Sequence, residues 1–344
     1  MRTYFFIKYF IRHSISDSLW QFFASKIRSF GDKKYKEKRK CFGNLNPDVT
    51  FYVIRHRPPG WGFFSNLIFV CQGILHAKEQ GYIPVVDMEN YWNKELNSTK
   101  RINGTYNAWC YFFKQPSQYS LDEVYKSKNV ILSDGAAPIS WEHWLNARKK
   151  DLLKSELLEQ LNSIISESIV LNSETENYVK RIKHELNWSF SETLGVFIRG
   201  TAYHNKHVEG NFNMPTLDSF LSEISKFLNQ TSIRNIYIAT EDYRVYLYLS
   251  DKLSKYNIIP SLRYRFNLSV DEWLRSQKIS FEGGIIMGYE KTLTYLTEMI
   301  LLSECKNFIG TYSNASIFVL GNTDLTQGDR RIMFKDNVVY LNAK

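Results

Sequence analysis

The residues best suited to binding a phosphate in this sequence are Arg199, Gly200 and Thr201. They follow the apolar run 194–198, whose composition predicts a buried parallel strand. In an open α/β sheet, ligands bind outside the carboxyl ends of the strands. An arginine there presents a planar, permanently charged fork that suits a phosphate, and a glycine beside it lets the backbone approach the ligand. A strand-end arginine in a surface salt bridge would show the same local pattern. The choice between a phosphate site and a salt bridge therefore depends on motifs elsewhere in the chain.

Two further predicted strands end in polar residues of complementary chemistry. The run 236–240 is followed by Glu241 and Asp242, carboxylates that suit the hydroxyls or the base of a nucleoside. The run 307–310 leads into the hydroxyl-rich turn 311–316 and then a predicted helix. Backbone N–H groups at a helix start, with Ser and Thr hydroxyls beside them, form an anion site. Together the three strand ends predict a pocket for a nucleoside diphosphate.

The first half of the chain predicts a βαβ unit. Its strand 51–54 is followed by a twelve-residue loop rich in Gly and Pro, a helix over 67–80 and a strand over 82–87. Twelve residues are long for such a connection, and long loops tend to be functional. The loop lacks the Gly-x-Gly-x-x-Gly spacing, so it does not indicate a dinucleotide site. Helical patterns over 151–170 and 174–186 are expected to close this first domain.

Positive charge is concentrated at the start of the chain. Residues 1–40 carry eleven Lys/Arg and three Asp/Glu, so they hold eight of the nine net charges of the 344-residue chain. The nearly neutral remainder argues against nucleic-acid binding. The aromatic and basic residues of 1–40 suit an interfacial helix on an anionic membrane surface, or equally a helix packed on the body with a solvated linker. We expect a cytoplasmic protein, peripheral on the inner face of the membrane.

The cysteines and acidic residues give no sign of a bound metal. The four cysteines are scattered without a Cys-x-x-Cys pair, which indicates a reducing compartment and no structural zinc. The sequence also contains no Asp-x-Asp. Both observations are consistent with a chain that works without a metal or another cofactor. The predicted division is a basic amphipathic segment over 1–47, a first domain over 48–190 and a nucleotide-sugar-binding domain over 191–344.

The motifs, in this order, resemble the α1,6- and protein O-fucosyltransferase superfamily, which includes the rhizobial Nod-factor enzymes. The matching stretches are Phe-Ile-Arg-Gly-Thr at 197–201, Ala-Thr-Glu-Asp at 239–242, the acidic Glu298 within 296–299, and Thr-Tyr-Ser-Asn at 311–314. The loop over 60–66 is similar to the family's glycine-rich N-terminal loop. The resemblance covers roughly residues 48–344; it is specific in order and spacing and weak at any single motif.

The resemblance implies a GT-B fold, in which two Rossmann-like domains face each other across a cleft. It implies inverting, metal-independent transfer of fucose from GDP-fucose to a glycan acceptor, either a surface polysaccharide or a lipid-linked precursor. It assigns Arg199 to the diphosphate and Glu298 to the guanine edge. The other implied substrate contacts are Ser313 and Asn314 on phosphate, Asp242 near Arg199 or the ribose, and Gly200, Thr201, Thr311, Gly62 and Asn66.

The sequence departs from the family pattern at two positions. The family histidine two residues before the arginine is Phe197 here, and the second family arginine is Gly200. GDP-mannose, GDP-rhamnose or another deoxysugar therefore remain alternative donors, and a non-catalytic nucleotide- or carbohydrate-binding module remains an alternative function. An inverting transfer needs a base for the acceptor hydroxyl. Alignment back from the following proline gives Glu209, counting forward from the arginine gives His207, and Glu209 is preferred.

Overall fold

The protein forms two compact α/β units, each built on its own sheet. A computed structural model describes residues 37–55, 62–90, 93, 95, 100–133, 156–199, 214–262, 285–324, 327–334 and 337–342. The first unit holds the described residues up to 133 together with 167–172, and the second holds 156–166 and the described residues from 173 onward. Both sheets are largely parallel, so the predicted α/β class with two Rossmann-like sheets is confirmed.

The first unit is a four-stranded sheet in the order β1-β4-β2-β3. Its parallel strands are β2, β3 and β4, and β1 runs antiparallel to β4 at the edge. The elements in chain order are β1 (Lys38–Lys40), β2 (Leu45–Arg55), α1 (Phe63–Glu79), β3 (Ile83–Asp87), a 3₁₀ turn (Ala108–Tyr111), α2 (Leu121–Val124) and β4 (Ser127–Leu132). Because β3 and β4 lie on opposite sides of β2, the strand order reverses between β2 and β4.

Helix α1 packs closely on β2. A Cβ atom at Gly73 would lie 2.9 Å from Cδ1 of Ile54, so the glycine is what allows the helix backbone to approach the strand. The opposite face of the sheet carries a second apolar layer that includes Phe51, Val85 and Val130. Strand β2 is therefore covered by helix α1 on one face of the sheet and by this apolar layer on the other.

The start of α1 differs from the sequence prediction. The helix begins at Phe63 instead of residue 67, because Gly62 acts as its N-cap and accepts hydrogen bonds from the backbone N–H groups of Ser65 (2.9 Å) and Asn66 (3.1 Å). Burial of Phe64 holds this first turn against the core. Since β2 also extends through Arg55, the predicted twelve-residue loop was too long by five residues, and its length no longer indicates a function.

The end of the basic segment also differs from the prediction. Residues 38–40 form the edge strand β1, and β2 begins at Leu45, so the first sheet starts before residue 48. The three basic side chains of β1 are exposed, which is how edge strands commonly resist pairing with other chains. Residues 1–36 lie outside the described residues, and the expected membrane-surface helix stays a prediction.

The second unit contains a six-stranded sheet in the order β7-β6-β5-β8-β9-β10. All neighbouring pairs are parallel except β9 and β10. Numbered from β5, the order is 3-2-1-4-5-6, the order of dinucleotide-binding Rossmann folds. The strands are β5 (Thr193–Phe197), β6 (Asn235–Ala239), β7 (Asn257–Ile259), β8 (Asn307–Thr311), β9 (Asp329–Phe334) and β10 (Asn337–Asn342).

Helices cover both faces of this second sheet. They are α3 (Glu156–Ser168), α4 (Ser173–Glu185), α5 (Leu217–Asn229), α6 (Tyr243–Lys252), α7 (Ile285–Glu304) and α8 (Asn314–Gly321). Apolar side chains of α5 and α6 share one core with Val196 and Ile238. On the other face, a Cβ atom at Gly195 would lie 2.9 Å from Cδ2 of Leu302, so α7 packs closely there.

Helices α3 and α4 belong mainly to the second unit, whereas the sequence analysis placed them in the first domain. The Asn162 side-chain amide donates to the carbonyls of Gly321 and Thr323, each at 2.9 Å. On α4, Lys183 pairs with Glu304 of α7. The apolar spacing of both helices was read correctly, but periodicity does not say which sheet the apolar face covers.

The chain returns to the first unit between these two helices. The backbone N–H of Lys114 donates to the carbonyl of Val170 (2.8 Å), and that of Asn172 donates to the carbonyl of Phe112 (3.0 Å). Residues 167–172 are therefore part of the first unit. Among the described helices, none is long and apolar enough to cross a membrane.

Candidate functional site

The second unit brings two of the predicted strand ends together where its strand order reverses. Arg199 lies two residues beyond the end of β5, and Thr311 is the last residue of the neighbouring strand β8. The backbone N–H of Arg199 donates to Oγ1 of Thr311 at 3.1 Å. Ligands of open α/β sheets bind outside the carboxyl ends of the strands at this kind of reversal. The side chain of Arg199 is partly exposed there.

Helix α8 begins at the same edge, directly after β8. Ser313 is its N-cap, and the Ser313 hydroxyl accepts the backbone N–H of Ser316 at 3.1 Å. The Ser316 hydroxyl in turn donates to the carbonyl of Thr311. Asn314, the first helical residue, is partly exposed, whereas the rest of the helix is buried. These bonds fix a helix N-terminus, with its outward N–H groups and partial positive charge, beside Arg199.

Asp242 lies on the other side of Arg199, because it follows β6. Its carboxylate is the N-cap of α6 and accepts the backbone N–H of Arg244 at 2.9 Å. The Arg244 guanidinium also lies 3.4 Å from the second carboxylate oxygen. Asp242 is only 1% exposed. The structure thus gives this carboxylate a role in starting a helix, and its contact with a ribose stays a prediction.

Glu298 lies on α7 and is fully buried. Its Oε1 accepts the Tyr237 hydroxyl at 3.4 Å and the hydroxyl of Ser261, which lies just past β7. Burial raises the pKa of the Tyr237 phenol well above its ordinary value, and the nearby Glu298 charge raises it further. Sequence reasoning missed Tyr237 and Ser261; the one available signal was a tyrosine between two isoleucines in a buried strand.

The first unit places Gly62 and Asn66 at the N-terminus of α1. Asn66 is 2% exposed and borders a small cavity. The cavity is lined by Phe63, Asn66, Leu67, Met88, Glu95, Ala108 and Trp109. Two buried polar groups, an amide and a carboxylate, thus face aromatic and aliphatic side chains at the carboxyl end of β3. The sequence analysis singled out Asn66 but not Glu95, so it did not predict that these two side chains line one cavity.

Four of the sequence-predicted site residues lie outside the described residues: Gly200, Thr201, His207 and Glu209. The choice of base therefore stays a prediction. Within the ranges that the structure describes, no three His, Cys, Asp or Glu side chains are grouped closely enough to hold a metal ion. The four cysteines, all described, are free thiols.

Comparison with known proteins gives similarity only at the level of solved structures. No protein-family model matches the chain, and no curated protein matches it in sequence. NodZ α-1,6-fucosyltransferase soaked with GDP-fucose is similar at 14% identity, with a TM-score of 0.48 over 86% of this chain and 100% of NodZ. A mutant of Arabidopsis thaliana FUT1 in complex with GDP is similar at 11% identity and a TM-score of 0.47, over 86% and 73% of the two chains. POFUT1 in complex with GDP-fucose is similar at 11% identity and a TM-score of 0.40, over 80% and 95%.

Proposed function

We propose that this protein is an inverting glycosyltransferase that transfers fucose from GDP-fucose to a glycan acceptor without a bound metal. The proposal rests on one observation above all: Arg199 and the N-terminus of α8 lie together at the strand-order reversal of a Rossmann-type sheet. A guanidinium and a helix start are both suited to a diphosphate. The choice of fucose as the sugar and of guanine as the base of the donor rests on the motifs that resemble those of fucosyltransferases.

In this proposal the second unit stabilises the leaving group. As the bond between fucose and the diphosphate breaks, negative charge grows on the diphosphate oxygens. The backbone of Arg199 and the backbone N–H groups at the start of α8 are fixed in place before that charge appears, and such preorganisation is the condition for effective electrostatic stabilisation. Glu298, which accepts the hydroxyls of Tyr237 on β6 and of Ser261 just past β7, would accept hydrogen bonds from the guanine edge.

The first unit holds the acceptor in this proposal, with Gly62 and Asn66 among its contacts. Inversion requires one group to take the proton of the acceptor hydroxyl. We assign that role to Glu209, with His207 as the alternative. The transfer would take place at the cytoplasmic face of the membrane, where residues 1–40 would bind anionic lipid.

Two alternatives differ from this proposal in a testable way. Phe197, which replaces the family histidine, is fully buried in β5. A transferase that uses another nucleotide sugar would bind a different donor with the same Arg199. A non-catalytic module would bind nucleotide without consuming a sugar donor.

A nucleotide panel followed by a hydrolysis assay separates these alternatives. We expect GDP to raise the melting temperature of the purified full-length protein more than UDP, CDP or ADP does. We also expect slow release of GDP from GDP-fucose in the absence of acceptor. Preference for another nucleotide would indicate a transferase with a different donor. GDP binding without any turnover of GDP-fucose, GDP-mannose or GDP-rhamnose would indicate a non-catalytic binding module.

Arg199→Lys tests the placement of the diphosphate. The substitution keeps the charge and removes the two-pronged donor, so we expect GDP affinity to fall at least about tenfold, equivalent to roughly 1.4 kcal/mol. Isothermal titration with GDP measures it. Near-normal affinity in a folded variant would show that Arg199 does not hold the diphosphate.

A further inference from the structure

The two units end their central strands with the same local arrangement. In the second unit Phe197 of β5 pairs with Gly310 of β8, and the N–H of Arg199, two residues on, donates to the hydroxyl of the next residue, Thr311 (3.1 Å). In the first unit Val53 of β2 pairs with Leu132 of β4. There the N–H of Arg55, again two residues on, donates to the hydroxyl of the next residue, Ser133 (2.9 Å).

The hydroxyl extends the strand pairing by one bond at the point where the ladder stops. Ile198 makes the last backbone bond on the other side, donating to the carbonyl of Ala239 at 3.2 Å. The next N–H, that of Arg199, turns to β8 and meets the Thr311 side chain. The N–H groups of Ile198 and Arg199 are thereby held by β6 and β8, and these two bonds fix the backbone from which the arginine side chain starts.

The two arginines use this arrangement differently. The Arg55 guanidinium turns back onto the backbone, where Nε donates to the carbonyl of Ser133 at 2.9 Å, and the residue is 4% exposed. Arg199 keeps the same backbone bond, but its side chain is partly exposed at the edge beside α8. In the first unit the arginine side chain is thus buried against the end of β4, and in the second unit it is partly exposed at the edge of the sheet.

We propose that Thr311 is a positioning residue, which acts on the donor only through Arg199. Thr311 is fully buried, which keeps its hydroxyl away from a bound diphosphate, and its Oγ1 accepts the Arg199 N–H, so the threonine supports the arginine. This replaces the expectation from the family resemblance that Thr311 contacts the substrate. The inference rests on the proposed function, since it assumes that Arg199 binds the diphosphate of the donor.

The test is GDP titration of the full-length protein and of five variants. Thr311→Val keeps the side-chain shape and removes the acceptor, and we expect about a fivefold loss of GDP affinity, typical of one hydrogen bond. Thr311→Ser restores the hydroxyl and should bind within twofold of the wild type. Ser133→Ala removes the matched hydroxyl of the first unit and should leave GDP affinity unchanged. In an Arg199→Met background, which removes the cation, Thr311→Val should add little, because its effect passes through the arginine side chain.

Each outcome decides between the inference and the proposed function. If the wild type binds GDP and folded Thr311→Val binds it equally well, Thr311 does not position the arginine. If Thr311→Val costs as much beside Arg199→Met as it does alone, the threonine acts on the nucleotide directly and the inference fails. If Thr311→Val does not fold, a loss of GDP affinity in Thr311→Ser greater than twofold would overturn it. If the wild type binds none of GDP, UDP, CDP and ADP, the proposed function fails and the inference falls with it.

Discussion

Replacing Arg331 should destabilise the second unit far more than replacing an exposed cation at the same ion-pair distance. Arg331 lies on β9, with its side chain 5% exposed; Nη1 is 2.6 Å from Oε1 of Glu223, and Nη2 is 2.6 Å from Oδ2 of Asp329. The Glu223 side chain is 10% exposed, so Arg331→Leu leaves a buried carboxylate with no cation beside it. Removing one partner of a buried pair costs about 3–5 kcal/mol.

The expected cost can be measured by thermal and urea unfolding. A unit of this size loses about 2–4 °C in melting temperature per kcal/mol, so Arg331→Leu should melt about 6–20 °C lower. The matched control is Lys180→Leu on α4, whose partner Glu176 is also 2.6 Å away but whose side chain is 67% exposed. That control should change stability by no more than about 1 kcal/mol.

A double variant shows whether the unpaired carboxylate is the cause. Arg331→Leu combined with Glu223→Leu removes the buried charge, and apolar replacements of a buried pair are often near neutral. We therefore expect the double variant to recover most of the lost stability. A single-variant cost below about 1 kcal/mol, or a double variant less stable than Arg331→Leu, would refute this account of the cluster.

Four further predictions concern thiols, alkaline stability, the base and the membrane surface. Of the four cysteines only Cys41 is exposed, and burial raises the pKa of the other three thiols, that of Cys110 to about 11. Iodoacetamide at pH 8 should therefore label one thiol quickly, and a second quickly labelled thiol would contradict this. Above about pH 10 the tyrosines of the unfolded chain ionise, whereas Tyr237 of the folded protein stays protonated. The free energy of unfolding should therefore fall as the pH rises, and it should fall less steeply in Tyr237→Phe. An equal pH dependence in the two proteins would contradict the raised pKa of Tyr237. Glu209→Gln should retain GDP binding and lose about 10²–10⁴ in turnover, with a smaller loss for His207→Ala, and the reverse order would make the histidine the base. Removing 1–36, which precede β1, should abolish pelleting with anionic vesicles at low salt, and a full-length protein that does not bind such vesicles would refute membrane binding.

The parts of the second unit that the sequence predicted well are those set by local composition. Apolar runs identified β5, β6 and β8, and the polar residues after them identified the strand ends, because a parallel strand buried on both faces must read as a continuous apolar run. The expectation that Arg199 and the turn at 311–316 share one edge of the sheet followed from the rule that ligands bind at the carboxyl ends of such strands, but their direct contact did not. Strand order itself, and hence which two ends are neighbours, is a long-range property that no single segment encodes.

The features that sequence reasoning missed depend on contacts between distant segments. Nothing near Glu298 in the chain indicates that hydroxyls from β6 and from beyond β7 converge on it, since they come from 61 and 37 residues away. The early start of α1 depended on Gly62 acting as a cap with its carbonyl alone. The assignment of α3 to the second unit depended on Asn162, whose partners lie about 160 residues further on.

The return of residues 167–172 to the first unit has a consequence for how the chain is made. The last strand of the first sheet ends at Leu132, yet the carbonyl of Val170 and the N–H of Asn172 supply bonds to Lys114 and Phe112. At a synthesis rate of about 5–20 residues per second, the ribosome needs roughly 2–8 s to pass from one to the other. During that interval the first unit lacks these partners, while residues 156–166 have been made ahead of the sheet they will cover. Folding of the two units is therefore interleaved in time, and no single cut of the chain separates them into two complete pieces.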